Sequence, residues 1–209
     1  MSDTTVTLQA ARDKWCAHWP EWEIAELFVP ANTREMAWVW FAWLDELAMA
    51  AWSGEDATPG LAKLAWWQEE LRGWAKGARR HPLSSVLQPL NVDWGSIANE
   101  MGALRERDAG ISGDIDAVAR TLDGFARSVA MAEHRVFGGT FAVQPERLLR
   151  TMMISAGRVP NATLGEGNAH GPRARRLLDS VADRRVTASN GKVGRFSVLW
   201  ASWRAARSG

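Results

Sequence analysis

The chain has 209 residues, 46% of them hydrophobic, which is enough for one substantial core and too apolar for wholesale disorder. Its 25 Lys and Arg against 24 Asp and Glu leave a formal charge of +1, so no global field argues for nucleic acid or an anionic membrane. Cys16 stands alone, which excludes an intramolecular disulfide framework and fits a reducing compartment, and no cysteine–histidine cluster suggests zinc.

The opening residues Met1-Ser2-Asp3-Thr4-Thr5 lack the basic and apolar blocks of a signal peptide. The best apolar run, 36–44, meets Asp45 and Glu46 well short of the roughly 20 residues that span a bilayer, so cytoplasmic residence is the expectation. A first helix is predicted over 7–18, stopped near Pro20, and a short second one over 21–28 before Pro30. Asn32 or Thr33 can cap the next helix, with Glu35 placed to reach back, and 36–52 reads as one strongly apolar helix. Trp38, Trp40 and Trp43 cannot all face a single neighbour, so this helix must be enclosed on several sides, as a central helix is.

The 13 Trp and the absence of Tyr sharpen that picture, because most of these indoles fall in the first half of the chain. Each can bury about 150–250 Å² while its N–H still needs a partner. They read as core and core-edge residues of a helical bundle, or as the walls of an apolar cavity that holds an isoprenoid or acyl chain between helices.

Thr58 and Pro59 open the following helix, and Gly77 can take the left-handed conformation that ends it. Leu61, Leu64, Trp67, Leu71 and Trp74 share one face at helical spacing, while Lys63, Gln68, Glu69, Arg72 and Lys76 occupy the others. A basic turn, Arg79-Arg80-His81-Pro82, leads to Leu83, Val86 and Leu87 as a second short helix, with His81 packing or capping at the turn. Lys76, Arg79 and Arg80 can bind an anionic head group, although a helix C-terminus draws solvated cations in any case. Trp94, Ile97, Met101 and Leu104 mark a helix over 93–107, and Ser112-Gly113-Asp114 opens a long one that Gly138-Gly139 ends. Gln144-Pro145 begins another, carrying Leu148, Leu149, Met152 and Met153 to Gly157.

Residues 158–172 are small, polar and glycine-rich, but they fail the Gly-x-Gly-x-x-Gly spacing and follow a helix, so they read as a flexible connection. Two helices remain, over 173–185 and over 194–207, the second anchored by Phe196, Leu199, Trp200 and Trp203, with Asn190-Gly191 as the turn between them. Asp179 and Asp183 share a helix face at i, i+4, and with Arg175, Arg184 and Arg185 they read as a surface lattice of ion pairs. His18, His81, His134 and His170 stand in four separate segments and match no nucleophile or metal pattern. No alternating segment reads as a strand. The fold expected is all-α, a single-domain helical bundle with a core over 1–157, the connection over 158–172, and C-terminal helices over 173–209 packing on the core.

The run Leu64-Ala65-Trp66-Trp67-Gln68-Glu69-Glu70-Leu71, followed by His81-Pro82-Leu83, resembles the squalene/phytoene synthase superfamily, the trans-isoprenyl diphosphate synthase-like proteins. Its members carry a Trp-Trp-Arg-Glu-Glu-Leu-like helix, a short glycine-bearing connection, then His-Pro and an apolar run. The resemblance extends more weakly from Thr33 to about Gly139 and implies a truncated isoprenoid synthase fold. Catalytic members are expected to place an Asp-rich box on the helix equivalent to 36–52, where two carboxylates one turn apart share the Mg²⁺ ions that hold a prenyl diphosphate. Here Asp45 and Glu46 are adjacent, about 100° apart around a helix, and Met49 one turn on is apolar. A second Asp-x-x-x-Asp box is expected on the helix over 145–156, which holds Arg147 and Arg150 and no aspartate.

These departures look like the non-catalytic branch of the superfamily, which includes the mitochondrial complex I assembly factor. The resemblance therefore implies a pseudoenzyme with a binding or assembly role. Asp45 and Glu46 are its catalytic remnants, and Arg34, Trp38, Lys63, Trp67 and Arg72 its ligand-binding candidates. No metal and no cofactor are expected; the partners are an isoprenoid or lipid ligand and a protein, not nucleic acid. The alternative is a prenyltransferase of isoprenoid biosynthesis that uses Mg²⁺ with Asp45, Glu46, Arg34, Lys63 and Arg72 on a prenyl diphosphate.

Overall fold

The computed structural model describes residues 2–139, 142–160, 171–188 and 193–207, with side chains from residue 8 onward. Among them every regular element is helical and no strand occurs, so the chain is an all-α, single-domain bundle. Helix α1 spans Ser2–His18 and α2 Trp22–Ala25, which continues as a 3₁₀ turn over Glu26–Phe28. Helix α3, Arg34–Trp52, is the axis of the bundle. Trp38, Trp40, Phe41, Trp43, Leu44, Leu47 and Trp52 are all buried, which three sides of one helix can achieve only when α1, α4 and α10 close around it. The enclosure expected from Trp38, Trp40 and Trp43 is present.

Helix α4, Thr58–Trp74, crosses α3 closely enough that a Cβ on Gly60 would collide with the Ala50 carbonyl. Of its predicted face Leu64, Trp67, Leu71 and Trp74 are buried and Leu61 is half-buried, Glu70 is buried beside them, and Gly77 leaves the helix at φ +85°. Two caps differ from expectation. Thr58 lies inside the helix and its N–H donates to Asp56 Oδ1 at 2.9 Å, because the side chain two residues earlier already meets that amide. Thr33 makes no cap either, since its hydroxyl turns back to donate to Pro30 O at 3.1 Å.

Beyond the His-Pro turn come α5 (Ser84–Leu87), α6 (Trp94–Glu100) with a 3₁₀ extension over Met101–Arg105, and α7 (Asp108–Ser112). The long helix predicted from Ser112 is divided into α8 (Ile115–Thr121) and α9 (Asp123–Phe137). Asp114 caps α8 by accepting from Ala117 N at 3.0 Å, and the break falls at Leu122, where the backbone leaves the helix at φ −105°, ψ 15°. Next to it Gly124 lies against the Glu100 carboxylate, which would have to swing aside for a Cβ there. Helices α10 (Pro145–Ser155), α11 (Arg173–Thr187) and α12 (Arg195–Arg207) complete the bundle. Most of the predicted connection, 161–170, and the Asn190-Gly191 turn lie outside the described residues.

The C-terminal helices differ from the sequence reading in two ways. Asp179 is buried, not part of a surface lattice, because α11 lays it against α10. On α12 the inward residues are Val198, Ala201, Ser202 and Ala205, while Phe196, Leu199, Trp200 and Trp203 are exposed. The small face packs because α11 comes close enough for Arg176 Nε to donate to Ala205 O at 3.0 Å.

Arginines also close the end of α3. Arg107 donates to Ala51 O at 2.7 Å and Ser53 O at 2.9 Å, and Arg158 Nη2 to Trp52 O at 2.6 Å, which satisfies carbonyls that the last helical turn leaves without partners.

Candidate functional site

Aromatic packing and buried carboxylates together set the site. Trp40, Trp43, Trp94, Trp74, Trp67 and His81 form a chain of ring contacts with successive centroids 5.2, 5.5, 4.9, 6.0 and 4.5 Å apart, mostly edge to face. It runs from the central helix to the His-Pro turn. Three indole N–H groups reach buried acids: Trp19 donates to Asp45 Oδ1 at 3.3 Å, Trp40 to Glu133 Oε2 at 3.0 Å and Trp74 to Glu70 Oε1 at 2.8 Å.

Glu70 organises the turn itself. Its Oε1 also accepts from the backbone N–H groups of Arg80 and His81, both at 2.9 Å, and Arg80 Nε donates to Oε2 at 2.8 Å. Burial alone would raise this carboxyl, but those donors outweigh it and hold the pKa below the usual range. Arg80 is therefore tied to the core edge and is not simple solvated charge, while Arg79 Nε bonds Gln88 Oε1 at 2.7 Å. His81 sits over Trp67, and its Nδ1 accepts from Leu83 N at 3.2 Å, which fixes the ring at the turn. Burial lowers its pKa below the ordinary imidazole value, so it is neutral at pH 7.

Between α1, α3 and this turn lies a cavity of about 350 Å³ lined by Ala10, Ala11, Lys14, Trp15, Ala42, Asp45, Glu46, His81, Pro82 and Leu83. The two acids diverge within it. Glu46 is held by Lys14 on α1 and Lys63 on α4, one carboxylate oxygen to each ammonium. Burial pushes this carboxyl up, and the two lysines more than reverse the effect. Asp45 turns inward: His18 Nδ1 lies 2.8 Å from its Oδ1, and Ser155 on α10 donates to the same oxygen. A second void, about 10 Å³, lies between Asp45, Thr151, Ser155 and Arg175. Asp45 thus separates the cavity from the polar interior.

That interior holds a buried ion network. Arg175 donates to Glu133 from Nε at 2.7 Å and from Nη2 at 2.5 Å, lies 3.4 Å from Asp179, and covers the Phe41 ring at 4.8 Å. Thr151 donates to Asp179 at 2.8 Å, and Arg150 Nε to Asp183 at 3.1 Å. Burial pushes the Asp179 carboxyl up to about 6 against the opposing pull of Arg175 and Thr151. Helix α10, which carries no aspartate, thus supplies the hydroxyls and guanidinium that bind aspartates of α3 and α11.

Of the expected ligand-binding residues, Lys63 reaches the cavity through Glu46 and Trp67 supports its wall beneath His81. Arg34 is elsewhere, donating to Val29 O at 2.9 Å and Leu27 O at 3.2 Å. Trp38 is buried with Arg12 over its ring, and Arg72 pairs with Glu69 on the surface at 2.7 Å. Sequence reasoning missed Lys14, His18, Thr151 and Ser155; the i, i+4 spacing of Thr151 and Ser155, which puts two hydroxyls on one face of α10, is the signal that could have found the last pair.

Among the described residues no cluster of three or more His, Cys, Asp or Glu could hold a metal ion, and no helix is long and apolar enough to cross a membrane. Comparison with protein-family models, curated proteins and solved structures returns no significant match to this chain.

Proposed function

We propose that this chain is a squalene/phytoene synthase-like bundle that has lost the metal-diphosphate chemistry and acts as a binding or assembly protein, with the cavity between α1, α3 and the His-Pro turn as its ligand seat. The observation that supports this most is the Lys14–Glu46–Lys63 clamp. A Mg²⁺ site is favoured by carboxylates that converge on one point, whereas Glu46 pairs one oxygen with each of two lysines and Asp45 turns inward, its Oδ1 meeting His18, Trp19 and Ser155. That divergence supports a reading without metal. The lining supports an amphipathic ligand instead: Ala10, Ala11, Trp15, Ala42, Pro82 and Leu83 offer apolar wall, and Lys14 and the neutral His81 offer polar contacts.

The test pairs a reaction with a binding measurement. Farnesyl or geranylgeranyl diphosphate with Mg²⁺ and reductant is expected to give no head-to-head product, while farnesyl diphosphate or farnesol without metal should raise the melting temperature of the wild type and not of Ala42→Trp, which fills the cavity. Metal-dependent product above an Asp45→Ala/Glu46→Ala control would overturn the pseudoenzyme reading. Equal thermal shifts for wild type and Ala42→Trp would remove the cavity as the seat.

A further inference from the structure

Helix α12 is amphipathic in the inverted sense. It buries Val198, Ala201, Ser202 and Ala205 against α11 and α2 and presents its largest side chains outward at i, i+3, i+4 and i+7: Phe196, Leu199, Trp200 and Trp203. Phe196 is 88% exposed and Trp200 56%. Leu27, on the 3₁₀ turn that α12 packs against, is another exposed apolar residue, at 63%. A contiguous exposed patch of this kind on a folded bundle marks an interaction site, since scattered surface apolar residues do not align on one face.

The charges on the helix select the partner, with exposed Glu23 on the adjoining α2 the acid that they outnumber. Helix α12 carries Arg195, Arg204 and Arg207, all exposed, and no acidic residue. Arg207 lies 4.8 Å over the Trp203 ring, and Trp203 stacks on Trp200 at 5.0 Å, so guanidinium and indoles form one continuous surface. We infer that this face of α12 docks the protein on an anionic lipid surface, with Phe196, Leu199, Trp200 and Trp203 entering the headgroup–acyl boundary and the arginines meeting lipid phosphates.

Three physical points favour that occupant. The apolar residues project from one face of a helix, Phe196 most of all, which a bilayer interface accommodates and a rigid protein partner must match with a groove. Trp is suited to the interfacial depth, where its ring is apolar and its N–H remains near water. A second copy in an isologous antiparallel pairing would bring the arginines of both helices together with no acid on either, which is repulsive. The chain's net charge is +1, so attraction comes from this local set of cations and not from a global field.

The full-length chain is mixed with vesicles of phosphatidylcholine alone or with about one third phosphatidylglycerol and floated on a density gradient. Wild type is expected to float with the anionic vesicles and not with the neutral ones, and to be released by added salt. Phe196→Ser/Trp200→Ser should abolish flotation, and Arg204→Glu/Arg207→Glu should weaken it by at least about tenfold, since each surface cation is worth roughly a fivefold change near an anionic leaflet. Both variants alter exposed side chains, so circular dichroism and melting temperature should match wild type. Absence of flotation, or flotation that survives Phe196→Ser/Trp200→Ser in a folded protein, overturns the inference. So does a dimer by light scattering that this double variant dissociates while vesicle binding is absent, because a second copy would then be the occupant.

Discussion

Glu70→Ala separates a structural carboxylate from a functional one. The Glu70 side chain is 1% exposed and accepts four hydrogen bonds within 2.9 Å, from the Trp74 indole, two backbone amides of the turn and the Arg80 guanidinium. Removing it leaves the indole and two backbone donors without an acceptor, each costing about 1–3 kcal/mol when it stays buried. The turn can open so that the amides of Arg80 and His81 reach water, which moves the expected loss to the lower half of that range, about 3–6 kcal/mol in all. The Arg80 contribution is small in this sum because its side chain is 57% exposed and screened by solvent. Urea denaturation followed by circular dichroism reads the loss as a lowered midpoint at unchanged slope, and Glu69→Ala, one residue away but exposed, serves as a control expected within about 0.5 kcal/mol of wild type. The consequence should reach the cavity, since His81 and Pro82 line it: any ligand-induced thermal shift should shrink in Glu70→Ala. A variant as stable as wild type would refute the reasoning that this acid holds the turn.

Other outcomes follow from the same structure. Trp67→Ala should cost about 3–5 kcal/mol in denaturant midpoint analysis, because Trp67 is 1% exposed and packs edge to face with Trp66 and Trp74 and tilted against His81; a loss below about 1 kcal/mol would place it on the wrong face of α4. Lys76→Ala/Arg79→Ala should leave the melting temperature nearly unchanged, and adding Arg80→Ala should lower it by a few degrees through loss of the Glu70 pair. The Asp179 carboxyl has a folded pKa of about 6, above its unfolded value near 4, so its contribution to stability is fully present below about pH 4 and is lost as pH rises through about 6. The stability difference between wild type and Asp179→Asn, measured by urea denaturation across that window, should therefore shift against the wild type as pH rises, while a constant difference would show that Asp179 is not held in a raised state beside Arg175, Thr151, Glu133 and Asp183.

Much of the fold was legible because periodicity and packing agree where both faces of a helix are unambiguous. The residues 36–52 contain too many large apolar side chains for one face, and enclosure on several sides is the physical answer. The same rule misled on α12, where two stripes compete at helical spacing. Phe196, Leu199, Trp200 and Trp203 carry more apolar area than Val198, Ala201, Ser202 and Ala205, so hydrophobicity alone assigns the larger stripe to the core. Close approach of α11 reverses it, because small side chains let the two helices meet and give Arg176 access to the Ala205 carbonyl. The break at Leu122 was hidden for a related reason: the apolar stripe continues through it, and only the backbone there, at φ −105° and ψ 15°, shows that α8 and α9 are separate elements.

The site was half legible, and the division follows the range of the contacts. Glu70 and Trp74 are four residues apart on one helix, so their pairing is local and readable from sequence. Asp45 with Trp19 and Ser155, and Glu133 with Trp40 and Arg175, join helices far apart in the chain, and no spacing rule reaches them. What decides whether a carboxylate on an apolar helix can hold a metal or only holds the fold is the set of donors that already occupies its oxygens. For Glu46 that set is two lysines, one on each oxygen, while for Asp45 a histidine, an indole and a hydroxyl all meet Oδ1. Lys14→Ala/Lys63→Ala would remove the cations and leave Glu46 uncompensated, so its carboxyl should titrate at higher pH than in the wild type. If those lysines were instead indifferent to Glu46, its titration, followed by NMR of the side-chain carboxyl, would not move.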